Sequence, residues 1–380
     1  MKLKRKILYP DSFLRSVPVP ESWDRRPLPN LIHKASNSEN ELTRLENWYR
    51  WLESGQKNDL KKRLRSLLHR EFWSAYAELM VSRIAHELGA VSVKHSPLLW
   101  AKRPDLMVHF SGLGKQIWEV AAAFQTKQRE HDDDMAHELA SRLNREFQHR
   151  WNIIVDATKF CEGGIKFNQA KPIIQAWLDQ LEQDGPNELT ISPPKINFEL
   201  KLTASPNPYP TEPTPIVKSL WGQGGNLSST DRFKEVLRKK IKKYSGVADA
   251  KLPLVIFMFE GDWLHIDPFS LEGALWGQQT VIFSRVSGNS SLGVQDGGLF
   301  LPGPNGRPQN TRLSAVVYCR RVWQKESVHA TLNVYHNPSA LHPIDPDCFK
   351  GAAQCQTIIR ESEIEVTWEF TRDTRMLPLH

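Results

Sequence analysis

Two carboxylates and a glycine turn are the residues of this chain whose spacing could do chemistry. Asp105 stands in Arg103-Pro104-Asp105-Leu106-Met107-Val108, and Glu119 in Ile117-Trp118-Glu119-Val120-Ala121. Between them, Ser111-Gly112-Leu113-Gly114 reads as a hairpin turn joining strands over 104–110 and 116–122. Side chains alternate along a strand, so Asp105, Met107 and His109 share one face, and Ile117, Glu119 and Ala121 share one face. With an odd number of residues in the turn, Asp105 and Glu119 project to the same side as cross-strand or diagonal neighbours. Carboxylates held that way raise one another's pKa unless a cation neutralises them. A hard divalent cation, Mg2+ or Mn2+, would do so, and could activate water and stabilise the charge of an attacked phosphate.

The element in front of this hairpin supplies a third acid. Phe72, Tyr76, Leu79, Met80, Ile84 and Leu88 form an apolar stripe at helical spacing over 71–89, and Gly89 is a natural C-cap. Glu78 lies on this helix with Ser74, Ala75, Val81 and Ser82 one turn away. These residues are mostly small, so this side of the helix can approach a sheet and bring Glu78 towards the same pocket.

Ala77-Glu78-Leu79 in a helix ending at Leu88-Gly89, then Pro104-Asp105, then Trp118-Glu119-Val120, resembles the PD-(D/E)XK family of restriction-endonuclease-like nucleases. The resemblance covers about residues 70–125. It implies an α/β (α+β) fold with a mixed central sheet flanked by helices, a restriction-endonuclease-like core carrying long insertions. It also implies that Asp105 and Glu119 bind magnesium, that Glu78 assists, and that a lysine orients or activates the attacking water. The family places that lysine two residues after the Glu, where this chain has Ala121. Either another lysine takes the role, with Lys102, Lys127, Lys239, Lys240, Lys242 and Lys243 as candidates, or the protein does not cut.

The charge is uneven. The chain has 50 Lys/Arg and 43 Asp/Glu, a net charge of +7, while residues 1–70 alone hold 16 Lys/Arg against eight Asp/Glu. A basic region ahead of a near-neutral body suits an anionic partner, and nucleic acid is the usual one. Lys61, Lys62, Arg63 and Arg65 on a short helix, and Lys239, Lys240, Lys242 and Lys243 on a second, are the candidate phosphate contacts, with DNA favoured over RNA. The helix over 232–243 would pack through Phe233, Val236, Leu237 and Ile241, which also suits a merely solvated basic face. A bacterial or phage-defence setting is implied by the resemblance alone.

The 380 residues alternate helical and strand patterns. Residues 1–69 read as a basic arm with helices: 1–40 are extended, and helical patterns run from Glu41 to about Leu68. Residues 70–380 read as one elaborated domain, with a core over 70–180, a Pro-rich insertion over 183–230 that has room for one strand over 196–202, further sheet and helices over 231–340, and a tail over 341–380. No apolar run is long enough to span a membrane, and the basic N-terminus is interrupted by Pro10, Asp11, Arg15 and Pro18 rather than followed by a signal-peptide core, so a cytoplasmic setting without a membrane partner is expected. The four cysteines form no CxxC pair, which argues against a structural zinc site. The phosphate-loop spacing and the GxSxG elbow are both absent. His131, Asp132, Asp133, Asp134 and His137 look metal-like, but an acidic helix start explains them as well.

Two rivals stand beside the nuclease reading. One is a silent member of the same fold used for DNA binding or scaffolding. The other is an α/β protein-interaction module in which the hairpin carboxylates are solvated and Glu78 pairs with an arginine. A homo-oligomer and a partner protein both stay open.

Overall fold

The structure, a computed structural model, describes residues 7–20, 26–35, 38–52, 57–99, 102–122, 139, 142–143, 145–147, 151–160, 167–191, 198–206, 217–218, 229–244, 251–260, 268–283, 290–295, 297–303, 305–324, 327–359, 364–368 and 376–379. The class is α/β. Two compact units are present, one built from Met1–Val17, Pro27–Phe124 and Leu227–His380, the other from Pro18–Arg26 and Gln125–Asn226.

The first unit holds a nine-stranded mixed sheet. Its strands are β1 (Ala90–His95), β2 (Leu106–Phe110), β3 (Gly114–Ala122), β8 (Leu254–Glu260), β11 (Leu313–Gln324), β12 (Ser327–His336), β13 (Ala353–Ile359), β14 (Ile364–Trp368) and β15 (Met376–Pro378). The order is β1-β2-β3-β8-β11-β12-β13-β14, with β15 beside β12. β1, β2 and β3 are antiparallel neighbours, whereas β3 and β11 both run parallel to β8. Leu254–Phe259 is apolar throughout and fully buried, as a strand covered on both faces must be.

Helices supply the two covers. Helix α5 (His69–Glu87) packs Phe72, Tyr76, Leu79 and Met80 against Leu106, Val108, Trp118 and Val120. On the other face α7 (Ser229–Lys242) and α8 (Pro268–Trp276) pack Phe233, Leu237, Ile241, Leu271 and Leu275 against Ile117, Ala121, Ile256 and Met258. Successive residues of β3 therefore serve different cores, which is the period-two alternation expected of a strand between two layers.

The N-terminal region departs from the expected extended arm. α1 (Asp11–Ser16) and α2 (Pro27–His33) are short helices, and Leu8, Tyr9, Val17 and Leu28 are buried. The cause is Glu46 on α3 (Ser38–Trp51), whose carboxylate accepts from the backbone amides of Ile7 (2.7 Å), Leu8 (2.7 Å) and Tyr9 (3.3 Å). Burial pushes the Glu46 carboxyl up, but these amides and Arg50 outweigh it and hold it below its usual range. Arg65 completes the clasp by donating to Leu8 O at 2.6 Å and Ile7 O at 3.2 Å. α4 (Lys57–Leu64) follows and packs on α5.

The second unit carries the sheet β5 (Glu188–Ile191), β6 (Phe198–Pro206), β4 (Trp151–Phe160) and β7 (Val217–Lys218), in that order. Phe167, Ile174, Trp177 and Leu181 of α6 (Phe167–Asp184) share a core with Ile153, Leu200, Leu202 and Ala204. Residues 188–218 thus supply three strands to this unit: β6 overlaps the one expected over 196–202, and β5 and β7 add two that the Pro-rich stretch did not suggest. β9 (Gln278–Phe283) and β10 (Ser290–Gln295) pair antiparallel in a separate two-stranded sheet.

Candidate active site

The hairpin register fixes the two acids. Leu106 pairs with Trp118, Met107 with Ile117 and Phe110 with Gly114, so the same ladder extended by one step sets Asp105 opposite Glu119. The connection between β2 and β3 is residues 111–113, an odd number. Gly112 at φ +79° and Gly114 at φ +82° supply the left-handed backbone of the turn. Pro104 has no N–H with which to continue the ladder. At that point the Asp105 side chain takes over, and its Oδ2 accepts from the Val120 amide at 2.8 Å.

Glu119 is fully buried, on the face of β3 that looks towards α7. The face of α7 that meets the sheet carries Phe233, Leu237, Ile241 and, just past its end, Tyr244. Lys240 and Tyr244 are one helical turn apart, so the apolar stripe that docks the helix also delivers Lys240. Its ammonium Nζ lies 2.7 Å from Asp105 Oδ2 and 2.7 Å from Glu119 Oε2. The two carboxylate oxygens are therefore no further apart than twice that distance. The other oxygen, Glu119 Oε1, accepts from Lys243 Nζ at 2.7 Å and from the Tyr244 hydroxyl. Lysines in the last turn also suit the negative end of the helix dipole.

Glu78 belongs to a second pair. It is buried, and Arg63 of α4 grips it in fork geometry, with Nη1 to Oε1 and Nη2 to Oε2 both 2.7 Å. Arg63 Nε meets Asp59 Oδ2 at 2.9 Å. Each acid of the cluster thus has a cation: Arg63 for Glu78, and Lys240 with Lys243 for Asp105 and Glu119.

The electrostatic consequences differ by residue. Burial pushes the Glu78 carboxyl above its usual range, and the charge of Asp105 adds to this, while Arg63 and Lys240 oppose it without prevailing. Burial also pushes Asp105 up, but Lys240, the Val120 amide and Lys243 outweigh it and hold the carboxyl below its ordinary value. Burial would lower Lys240, yet Asp105 and Glu119 raise it well above a free lysine, so its side chain is a fixed ammonium. Burial and the Glu119 charge raise the Tyr244 phenol, so it stays a donor. His95, whose β1 position pairs with Leu106, is driven down to about 4 by burial and by the charge of Arg63.

The remaining sequence candidates are dispersed. Lys102 is exposed on the loop before Asp105, in a bridge with Leu99, and makes no hydrogen bond or ion pair to the acids. Lys127, like His131, Asp132, Asp133, Asp134 and His137, lies outside the described residues. Lys62, Lys239 and Lys242 are exposed, and Lys61 is partly so. Arg63 and Arg65, expected to face phosphates, are turned inward to Glu78 and to the chain at Ile7–Leu8. Tyr244 and His95 were not singled out in the sequence. The helical step from Lys240 to Tyr244 was the available signal for the first, and nothing local marks the second.

The acids fit a hard cation in one respect: two carboxylate oxygens converge on a point already filled by a cation, the Lys240 ammonium. Among the described residues, no group of three or more His, Cys, Asp or Glu side chains is arranged to hold a metal ion. A divalent ion here would have two protein ligands and would complete its shell with water and substrate oxygens, as magnesium commonly does. Among the described residues, no helix is long and apolar enough to cross a membrane. No protein-family model, no curated protein and no solved structure matches this chain.

Proposed function

We propose that Asp105, Glu119 and Lys240 form the hydrolytic centre of a metal-dependent nuclease-like protein that acts on phosphodiester bonds, DNA before RNA. The observation that carries this reading is the ammonium of Lys240 between the two carboxylates, 2.7 Å from each. It meets the objection raised by Ala121, because a lysine from α7 reaches the place that the strand leaves without one.

When bound, magnesium or manganese would polarise the phosphoryl oxygen and lower the pKa of a coordinated water. Asp105 and Glu119 are the residues that would hold it. Lys240, a permanent ammonium, cannot serve as the base; its role is to hold the attacking oxygen and to offset charge on the phosphoryl group. Glu119 keeps Lys240, Lys243 and Tyr244 in place through its two oxygens. Arg63 fixes Glu78 on α5, within reach of the charge of Asp105. The exposed Lys62, Lys239 and Lys242 would meet the nucleic-acid backbone.

The test is cleavage of supercoiled plasmid, single-stranded DNA and RNA in the presence of magnesium or manganese. Wild type should cut at least one of them, and Glu119→Gln should lose about 100-fold or more, the scale set by removing one preorganised stabilising group. Wild type that cuts none of the three would refute the hydrolytic reading. The cluster's internal neutralisation favours a second reading, a silent member of the fold that binds DNA without cutting. That reading expects salt-dependent binding and no cleavage under any metal.

A further inference from the structure

The donors of the two lysines are unequally used. An ammonium has three N–H donors. Lys240 commits two of them, to Asp105 and Glu119; Lys243 commits one, to Glu119. Among the described residues, one donor of Lys240 and two of Lys243 have no protein acceptor. The Glu119 carboxylate that holds both ammoniums is fully buried, whereas the Lys240 and Lys243 side chains are 25% and 28% exposed. The cluster is therefore polarised, with its negative groups inside and its positive groups at the mouth.

Lys243 is also held in place more firmly than a surface lysine. Its Nζ is 2.7 Å from Glu119 Oε1 and 5.6 Å from the centroid of the Tyr244 ring, and the following Tyr244 hydroxyl locks the same carboxylate oxygen. The entropy of a long side chain, which usually weakens exposed lysine contacts, is already spent in the fold. Two ammoniums on the two oxygens of one carboxylate present a pair of cationic donors to anything at the mouth.

Resting on the nuclease reading, we infer that Lys243, with Lys240, is a phosphate-anchoring pair that binds a phosphodiester of the nucleic-acid substrate directly, before and without a divalent ion. One non-bridging oxygen would accept from the spare Lys240 donor, and the other from Lys243. A phosphodiester carries its charge on two equivalent oxygens and suits such a pair. The exposed Lys239 and Lys242 lie beside Lys240 and Lys243 on the same helix and extend the positive mouth.

The experiment is binding of a 20-nucleotide oligonucleotide, single-stranded and duplex, in EDTA over a salt series. Lys243→Met should weaken binding about tenfold and lower the salt slope by about one phosphate contact, Lys243→Arg should bind like wild type, and Lys350→Gln, an exposed change away from the cluster, should leave binding unchanged. Lys243→Met with wild-type affinity and slope would overturn the inference. Because Lys243→Met removes a partner of buried Glu119, a second measurement uses the wild-type protein: acetylation of individual lysines, with and without oligonucleotide. Protection of Lys243 and not of Lys350 supports the pair, and equal reactivity of Lys243 in both states overturns it. Both arms exclude metal, so they stand apart from cleavage. A protein that binds through Lys243 and never cuts keeps this inference and loses the hydrolytic one.

Discussion

Lys240 and Asp105 stand 135 residues apart in the chain, and their charged atoms are 2.7 Å apart in the fold. The same ammonium is 2.7 Å from Glu119, so one side chain of α7 neutralises two acids of a hairpin on the neighbouring face of the sheet. The arrangement makes the lysine and a metal ion competitors for one place.

That competition is measurable. In Lys240→Met the two carboxylates lose their shared cation, and a divalent ion gains an unobstructed place between them. Magnesium should therefore raise the melting temperature of Lys240→Met more than that of wild type. A ligand at 100 times its Kd adds about 2.7 kcal/mol to stability. Melting curves across a magnesium titration check this, and equal shifts in the two proteins would show that no ion enters at that point.

The Arg63–Glu78 clamp should matter to stability more than surface ion pairs do. The two side chains are 23% and 10% exposed, and Glu78 has burial against it. Arg63→Ala leaves that carboxyl without its partner and should cost about 3 kcal/mol, the lower end for breaking a buried pair. The double change Arg63→Met with Glu78→Leu should recover most of the loss, since it removes both charges. Urea unfolding of wild type and the two variants decides this, and a double variant no more stable than Arg63→Ala would contradict it.

His95 gives stability a pH dependence of known sign. Its folded-state pKa, about 4, lies below the ordinary 6.5, so between those values the unfolded chain binds a proton that the folded chain refuses. Stability is then fully present above pH 6.5 and falls as the pH drops towards 4, by up to about 3 kcal/mol. Asp105, whose pKa is also depressed, adds its loss at lower pH, as the solution passes through its folded value. Chemical unfolding at pH 7 and pH 5 should show a drop in wild type that is smaller in His95→Gln. An equal drop in both would place the effect elsewhere.

The acids were legible because local rules place them. Alternation along β2 and β3 and a short glycine turn determine which face each side chain takes, with no knowledge of the remaining fold. Helix α5 announced itself in the same way, by spacing and by Gly89, which has φ +91°. Lys240 could be placed only on a short roster of lysines, because its partners are reached by packing of α7 on a distant strand. Arg63 was read as a phosphate contact, since nothing near it in sequence reveals Glu78, 15 residues on, as its acceptor.

Other elements escaped for reasons of pattern. β1 has a bulge between Ala90 and Ser92, which breaks the period-two signal that identifies a strand. Residues 7–17 carry no helical period, and they are ordered by Glu46 catching three consecutive amides. β6 does alternate, with Leu200, Leu202 and Ala204 buried in step, so a strand over 196–202 was legible even among the prolines, whereas β7, two residues long, has no period to read.

The central claim is that Asp105, Glu119 and Lys240 act together on a phosphodiester. Single-turnover cleavage of a nucleic-acid substrate by wild type and by Lys240→Met, at saturating magnesium and with both proteins confirmed as folded, tests it most directly. The account expects cleavage by wild type and a loss of about 100-fold or more in the variant. Equal rates in the two proteins would contradict it.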